Sequence, residues 1–168
     1  MAMKEHKKQK HQAHCVVITV SDTRTNDTDK SGNIISSLLT SSGHRVVNRI
    51  IVPDELVEIK QSLHTCCEDP RVNAVVVNGG TGVAKRDVTI EAVESLLEKE
   101  MPGFGELFRL ISYQEDIGSA AILSRAIAGI HNHTVIFSVP GSSGAVKLAM
   151  ERLILPEVSH VLHELQKN

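Results

Sequence analysis

A short buried strand that runs into a glycine-rich loop constrains this chain more than any other feature. The stretch from Ala74 to Thr89 opens with three consecutive valines, a β-branched run typical of a buried strand. The loop that follows contains Gly79, Gly80 and Gly82, and glycine lets a backbone adopt positive φ or approach a ligand closely. A helical pattern begins next, so the N–H groups of its first turn are free to bind an anion. A phosphate site and a tight turn without a ligand are equal alternatives here.

The loop does not match the standard nucleotide-binding motifs. A Walker A loop needs glycine, lysine and then serine or threonine, whereas Ala84, Lys85 and Arg86 occupy these positions here. The dinucleotide fingerprint needs a third small residue, and this chain has Lys85 instead. The loop therefore indicates phosphate or a similar anion, and excludes a standard NTPase or NAD site.

Strand-like and helix-like segments alternate along the chain. β-branched runs at Cys15–Val20 and Arg45–Val52 are each followed by an amphipathic helical pattern, and residues 129–139 resemble a hairpin. This alternation predicts an α/β domain with a mostly parallel sheet covered on both faces. Residues 1–14 are polar and are expected to be a mobile tail, which leaves residues 15–168 as a single domain.

Composition excludes several classes of function. The net charge is −2 and aromatic residues make up 2%, which argues against a nucleic-acid platform with basic grooves and stacking rings. The three cysteines have no C-x-x-C spacing, so neither a zinc site nor a disulfide framework is indicated, and a reducing cytoplasm fits best. No apolar run is long enough to span a membrane. We therefore expect a cytoplasmic protein that has neither nucleic acid nor a membrane as a partner.

Four polar loops are predicted to meet at one edge of the sheet, because right-handed crossovers bring all βα loops to the carboxyl ends of the strands. These loops are Ser21–Thr23, Asp54, Gly79–Asp87 and Pro140–Ser142. Carboxylates at Asp22, Asp54 and Asp87 would repel a phosphate unless a cation lay between them. Mg²⁺ held by one or two carboxylates and phosphate oxygens is the usual solution, and we predict such a site here. Taken alone, Asp54 is best interpreted as a helix N-cap.

With these residues identified, the chain resembles the MoaB/MogA family of molybdenum cofactor biosynthesis proteins, and it is closer to the MoaB branch. The resemblance covers nearly everything from about Cys15 onward. The matching motifs, in the order and spacing of the family, are Ser21–Arg24, Asn78–Gly82, Arg86–Thr89, Pro102–Arg109, Leu123–Arg125 and Pro140–Ser142. The resemblance implies a three-layer α/β/α sandwich and trimers, which in the MoaB branch often pair into hexamers. The apolar, irregular stretch 103–121 is expected to form a subunit contact.

The resemblance also implies binding of molybdopterin, a pterin dithiolene that ends in a phosphate. Catalysing members join that phosphate to the α-phosphate of ATP in a reaction that requires Mg²⁺ and gives adenylyl-molybdopterin and pyrophosphate. Other proteins of molybdenum cofactor biosynthesis are implied partners. One alternative is a binding protein that holds molybdopterin or a precursor without catalysis, and a third is a nucleotide-cleaving enzyme of the related competence-damage-inducible group. Retention of Asp54 and Asp87 favours the enzyme, a molybdopterin adenylyltransferase.

Matched positions imply roles for individual residues. Asp54 and Asp87 correspond to the essential acidic residues of the family and are expected to place Mg²⁺ and the phosphates. The residues expected to cradle the substrate phosphates are Ser21, Asp22, Thr23, Gly79, Gly80, Thr81 and Gly82. Those expected to line the pterin side are Ser112, Ser124 and Arg125, and those expected to face the nucleotide are Pro140, Gly141 and Ser142.

Two departures from the catalysing branch lie in this predicted site. That branch commonly has two threonines where this chain has Val77-Asn78. It also tends to have asparagine or glutamine followed by proline where this chain has Ser142-Ser143. Neither departure removes an acidic residue.

Overall fold

A single mostly parallel sheet forms the centre of the molecule. The computed structural model describes residues 11–167. The strands are β1 (His14–Val20), β2 (Arg45–Val52), β3 (Ala74–Asn78), β4 (Lys99–Glu100), β5 (Ile127–His131) and β6 (Thr134–Val139). Their order is β2-β1-β3-β6-β5-β4. The pairs β1–β2, β1–β3 and β3–β6 are parallel, while β5 runs antiparallel to both β4 and β6. The predicted α/β fold is confirmed.

Helices cover both faces of this sheet. They are α1 (Lys30–Ser41), α2 (Leu56–Glu68), α3 (Thr89–Leu96), α4 (Pro102–Glu115), α5 (Ser143–Ala149) and α6 (Leu155–Leu165), with a 3₁₀ helix at Gly118–Leu123 and a π-helical turn at Met150–Ile154. None of the helices found between residues 11 and 167 is long and apolar enough to cross a membrane.

Two hydrophobic cores, one on each face of the sheet, hold the three layers together. Along β1, Cys15 and Val17 point to one face, and Val16 and Ile18 point to the other, as the period of a strand requires. The first face packs against α1, α4, α5 and α6, and the second against α2 and α3. Burial of one large aliphatic side chain such as Ile18 contributes about 1.5–3 kcal/mol. The predicted α/β/α sandwich therefore follows from strands that are apolar on both faces.

The hairpin and the first helix follow the predicted pattern. β5 and β6 are joined by a tight turn in which Asn132 has a φ of 53°. Asp29 is the N-cap of α1, because its Oδ1 accepts the Gly32 N–H at 3.0 Å. Gly43 follows the end of α1 with a φ of 86°, a conformation that ends many helices.

The predicted boundary between tail and domain needs correction, because the folded domain includes residues 11–14 of the predicted tail. Ala13 is fully buried and its N–H donates to His44 Nδ1, and β1 begins at His14. The rest of the predicted tail, residues 1–10, lies outside the described residues.

The segment that begins at Pro102 opens α4. Proline is well suited to the first turn of a helix, because its missing N–H would have no partner there. Gly105 is tolerated inside this helix for a packing reason: a Cβ there would lie 2.6 Å from the carbonyl oxygen of Ala126.

Candidate functional site

Two aspartates lock together the loops that follow β1 and β2. The N–H of Asp54 donates to Asp22 Oδ1 at 3.0 Å, and the N–H of Asp22 donates to Asp54 Oδ2 at 3.1 Å. The predicted N-cap role of Asp54 is therefore wrong. The N-cap of α2 is Glu55, which makes no side-chain capping hydrogen bond, and the Asp54 carboxylate turns toward the β1 loop instead.

The two carboxylates have opposite electrostatic environments. The pKa of Asp22 lies below its ordinary value, chiefly because the carboxylate accepts the Asp54 N–H and also pairs with Arg86. The pKa of Asp54 is raised, first because burial desolvates the carboxylate and then because the negative charge of Asp22 is close. Asp87 raises it further, while the Asp22 N–H and Arg86 lower it. The negative charge that is least well compensated therefore lies on Asp54.

Arg86 ties the glycine loop to both aspartate loops. Its Nε donates to Asp22 Oδ2 at 2.9 Å, and its Nη2 donates to Glu55 Oε1 at 3.2 Å. The Arg86 side chain is 59% exposed, so solvent screens both pairs and weakens their contribution to stability. A guanidinium held this weakly is available to a phosphate. Arg86 belongs to the matched motif Arg86–Thr89, whereas nothing in the sequence singles out Glu55, because an exposed glutamate at a helix start carries no distinctive signal.

The glycines of the loop are required by backbone angle and by space. Gly79 and Gly80 have φ angles of 95° and 65°, as the glycine pattern predicts. A Cβ on Gly79 would lie 2.3 Å from the carbonyl oxygen of Val20 at the end of β1. A Cβ on Gly80 would lie 2.2 Å from Thr89 Oγ1 and 3.0 Å from Asp54 Oδ1. The loop therefore lies directly against Asp54 and the start of α3.

Asp87 shapes the second half of this loop. Its Oδ2 accepts the Ala84 N–H at 2.9 Å, and its own N–H donates to the Ala84 carbonyl oxygen at 3.0 Å. The carboxylate also lies against Gly82, where a Cβ would approach Asp87 Oδ2 to 2.6 Å. The structure thus places Asp87 in the predicted cluster, where it closes a turn and adds negative charge near Asp54.

Arg125 binds the inner side of the loop. Its Nε donates to the carbonyl oxygens of Thr81 and Gly82 at 3.0 Å, and its Nη2 donates to those of Gly82 and Asp87 at 2.8 and 3.0 Å. Its Nη1 pairs with Glu91 on α3. The guanidinium of Arg125 therefore holds the loop, and its expected place on the pterin side stays a prediction.

The fourth predicted loop also reaches the glycine loop. A Cβ on Gly141 would lie 3.0 Å from the Cα of Gly79. Ser142 caps α5, accepting the Ala145 N–H at 3.2 Å, and Ser31 on α1 donates to the Gly141 carbonyl. All four polar loops thus meet at the carboxyl edge of the sheet, as the crossover rule predicts.

Among the remaining predicted residues, Ser21 belongs to this cluster. Ser21 Oγ accepts the N–H groups of Thr23 and Arg24, so it shapes the β1 loop. Ser112 is buried near the end of α4, and Ser124 follows the 3₁₀ helix. Within residues 11–167, neither of these two hydroxyls has a hydrogen bond to the four loops.

Mg²⁺ fits this edge only together with a ligand. No group of three or more histidine, cysteine, aspartate or glutamate side chains in the described part of the chain is arranged to hold a metal. Asp54 provides one half-buried carboxylate whose charge is poorly compensated, and Mg²⁺ commonly binds through one or two carboxylates plus phosphate oxygens. The arrangement therefore suits Mg²⁺ carried by a phosphate.

Comparison with known proteins identifies the family of this chain. Residues 16–160 match a family described as a probable molybdopterin binding domain. Molybdenum cofactor biosynthesis protein B from Bacillus subtilis (strain 168) is 55% identical over 169 residues, covering 100% of this chain and 99% of that protein.

Solved structures give the same result. A crystal structure of molybdenum cofactor biosynthesis protein B has a TM-score of 0.93 at 53% identity, covering 96% of this chain and 100% of that one. The tungsten cofactor synthesizing protein MoaB from Pyrococcus furiosus has a TM-score of 0.83 at 40% identity, covering 93% of this chain and 98% of that one. The chain therefore belongs to the MoaB/MogA family of molybdenum cofactor biosynthesis proteins, and to its MoaB branch.

Proposed function

We propose that this protein transfers an adenylyl group from ATP to the terminal phosphate of molybdopterin in a Mg²⁺-dependent reaction. The products are adenylyl-molybdopterin and pyrophosphate. One observation carries the proposal: Asp54 lies against the glycine loop and the N-terminus of α3. This edge would supply a carboxylate for a cation, and main-chain N–H groups of a glycine loop and a helix start for phosphates, which are the two requirements of nucleotidyl transfer.

The reaction requires the protein mainly to position the two substrates and to neutralise the charge of their phosphates. An oxygen of the molybdopterin phosphate forms a bond to the α-phosphorus of ATP as the bond from that phosphorus to pyrophosphate breaks, so no protein nucleophile is needed. Asp54 would hold Mg²⁺, which supplies charge neutralisation for the phosphates. The loop from Gly79 to Gly82 would bind phosphate oxygens. Arg86 would exchange its exposed carboxylate partners for a phosphate.

The test is a direct assay of the purified protein with molybdopterin, ATP and Mg²⁺. Pyrophosphate release and an adenylylated pterin in mass spectrometry are the expected products, and the D54N variant should give neither. Molybdopterin binding without pyrophosphate would refute the adenylyl transfer and would identify a non-catalytic binding protein. A nucleotide-cleaving enzyme would consume ATP without forming the adenylylated pterin.

Self-association as a trimer or hexamer is part of the proposal. Six large apolar side chains on α4 and the adjoining 3₁₀ segment are between 45% and 83% exposed, and we name them the α4 apolar surface. They are Leu107, Leu110, Tyr113, Ile117, Ile122 and Leu123. Several large exposed apolar side chains within one segment are typical of a protein interface, and they fall largely in the stretch for which a subunit contact is predicted. The cytoplasmic location and the contacts with other proteins of the pathway stay predictions.

A further inference from the structure

A buried hydroxyl without a partner lies beside the proposed cation site. Thr89, the first residue of α3, is 0% exposed, and its Oγ1 has no hydrogen-bond partner among residues 11–167. Its main-chain N–H is used, since it donates to the Gly80 carbonyl oxygen at 3.0 Å. An unpaired buried hydroxyl destabilises a folded protein, and valine has nearly the same shape without that cost. The free hydroxyl therefore calls for a functional reason.

The position of the hydroxyl supplies that reason. The point where a Cβ on Gly80 would lie is 2.2 Å from Thr89 Oγ1, 3.0 Å from Asp54 Oδ1 and 3.1 Å from the apolar Cγ1 of Val20. The two oxygens share the space left by the missing side chain, yet they are not hydrogen bonded to each other. Asp54 Oδ2 accepts the Asp22 N–H, so Oδ1 is the oxygen that faces Thr89.

We propose that Thr89 is a positioning residue, whose hydroxyl donates to Asp54 Oδ1 when Mg²⁺ and a nucleotide phosphate are bound. This hydrogen bond fixes the carboxylate in the orientation that holds the cation. The inference rests on the proposed function, because it takes Asp54 as the cation-binding carboxylate. It also gives Gly80 a second role: any side chain there would fill the space between the two oxygens.

The experiment compares Thr89→Val with Thr89→Ser in the full-length protein. Isothermal titration calorimetry would measure ATP binding with Mg²⁺ and with EDTA, and thermal unfolding would be measured without ligand. Thr89→Val should unfold at or above the wild-type temperature, and its ATP affinity in Mg²⁺ should fall about tenfold, as expected for a lost hydrogen bond to a charged group. Thr89→Ser keeps the hydroxyl and should retain the wild-type affinity, and in EDTA the three proteins should bind ATP equally.

A matched control is Thr134→Val, because Thr134 is buried far from the site and its hydroxyl donates to the Val72 carbonyl oxygen. This variant should lose stability and keep its affinity for ATP in Mg²⁺. Equal ATP affinity of wild type and Thr89→Val in Mg²⁺ would overturn the role of Thr89 alone. Wild-type protein that binds no ATP in Mg²⁺ would instead overturn the proposed function, so the two failures are distinguishable.

Discussion

At the scale of single residues, Asp54 is the position where burial, like charge and the glycine loop act together. Its carboxylate is partly desolvated, lies near two other aspartates, and pairs only indirectly with Arg86 through Asp22. A group with a raised pKa in the folded state stabilises the protein while it is protonated, and that contribution is lost as the pH rises through the raised pKa. At neutral pH the Asp54 charge is therefore a local cost, which a bound cation would offset.

The variant D54N should be more stable than wild type at pH 7 when no ligand is present. Asparagine retains an oxygen that accepts the Asp22 N–H and removes the destabilising charge. The difference in unfolding temperature should shrink as the pH falls through the raised pKa of Asp54, and it should be smallest below about 4, where aspartate is protonated in the unfolded chain as well. Differential scanning fluorimetry at several pH values measures this difference.

The same variant should lose the Mg²⁺-dependent part of ATP binding, so stability and function change in opposite directions. An exposed aspartate in the same loop region, Asp27, provides the control, and D27N should change stability by no more than about 0.5 kcal/mol. A D54N protein that is less stable than wild type at pH 7 would show that the Asp54 carboxylate is a structural group.

At the scale of elements, the longer strands and the sheet-edge loops were predictable, whereas the two-residue β4 and the contacts among the loops were not. β2 runs from Arg45 to Val52 as predicted, because a β-branched run bounded by turn residues strongly favours a strand. The meeting of the loops followed from crossover handedness alone. The reciprocal Asp22–Asp54 hydrogen bonds depend on side-chain orientations set by two loops, and nothing in the local pattern around either residue encodes them.

The contacts of Arg125 are a second feature of the site that the sequence could not predict. The resemblance identified the residue, but its four hydrogen bonds to loop carbonyls arise because the chain after the 3₁₀ helix returns beneath the glycine loop. A guanidinium has five donors in a rigid fork, so one side chain can hold several carbonyls at once. Arg125, although distant in the sequence, therefore maintains the conformation of the glycine loop.

Replacing Arg125 with methionine should destabilise the protein by about 2–4 kcal/mol and loosen the glycine loop. Methionine keeps an aliphatic stem but leaves the carbonyls of Thr81, Gly82 and Asp87 without these donors. Chemical denaturation measures the stability. Hydrogen exchange should accelerate at the amides of residues 79–89.

The control for this variant is Arg71→Met. Arg71 pairs with Asp69 on the surface and its side chain is 74% exposed, so its removal should destabilise the protein much less than the removal of Arg125. If R125M and R71M destabilised the protein equally, or if exchange in the loop did not change, the assigned role of Arg125 would be wrong.

At the scale of the whole molecule, the α4 apolar surface and the candidate site are joined by a short piece of chain. Leu123 ends the 3₁₀ helix at that surface, and Arg125 follows two residues later with its guanidinium under the glycine loop. A subunit packed against the surface would therefore restrain the residue that holds the loop. Self-association and phosphate binding are expected to be coupled through this connection.

The substitution Ile122→Asp tests both the assembly and the coupling. Ile122 is the most exposed residue of the α4 apolar surface, at 83%, so a charge there should leave the monomer folded and disfavour burial in an interface. Light scattering after gel filtration should show a trimer or hexamer for wild type and a monomer for I122D. The monomer should also bind ATP in Mg²⁺ more weakly than wild type, because Arg125 and the loop would be less restrained.

Val57→Asp is the matched control, since Val57 is 73% exposed on α2, away from this surface, and should keep the wild-type mass and affinity. A wild-type protein that is monomeric at micromolar concentration would refute the assembly, and an I122D monomer with wild-type affinity would refute only the coupling.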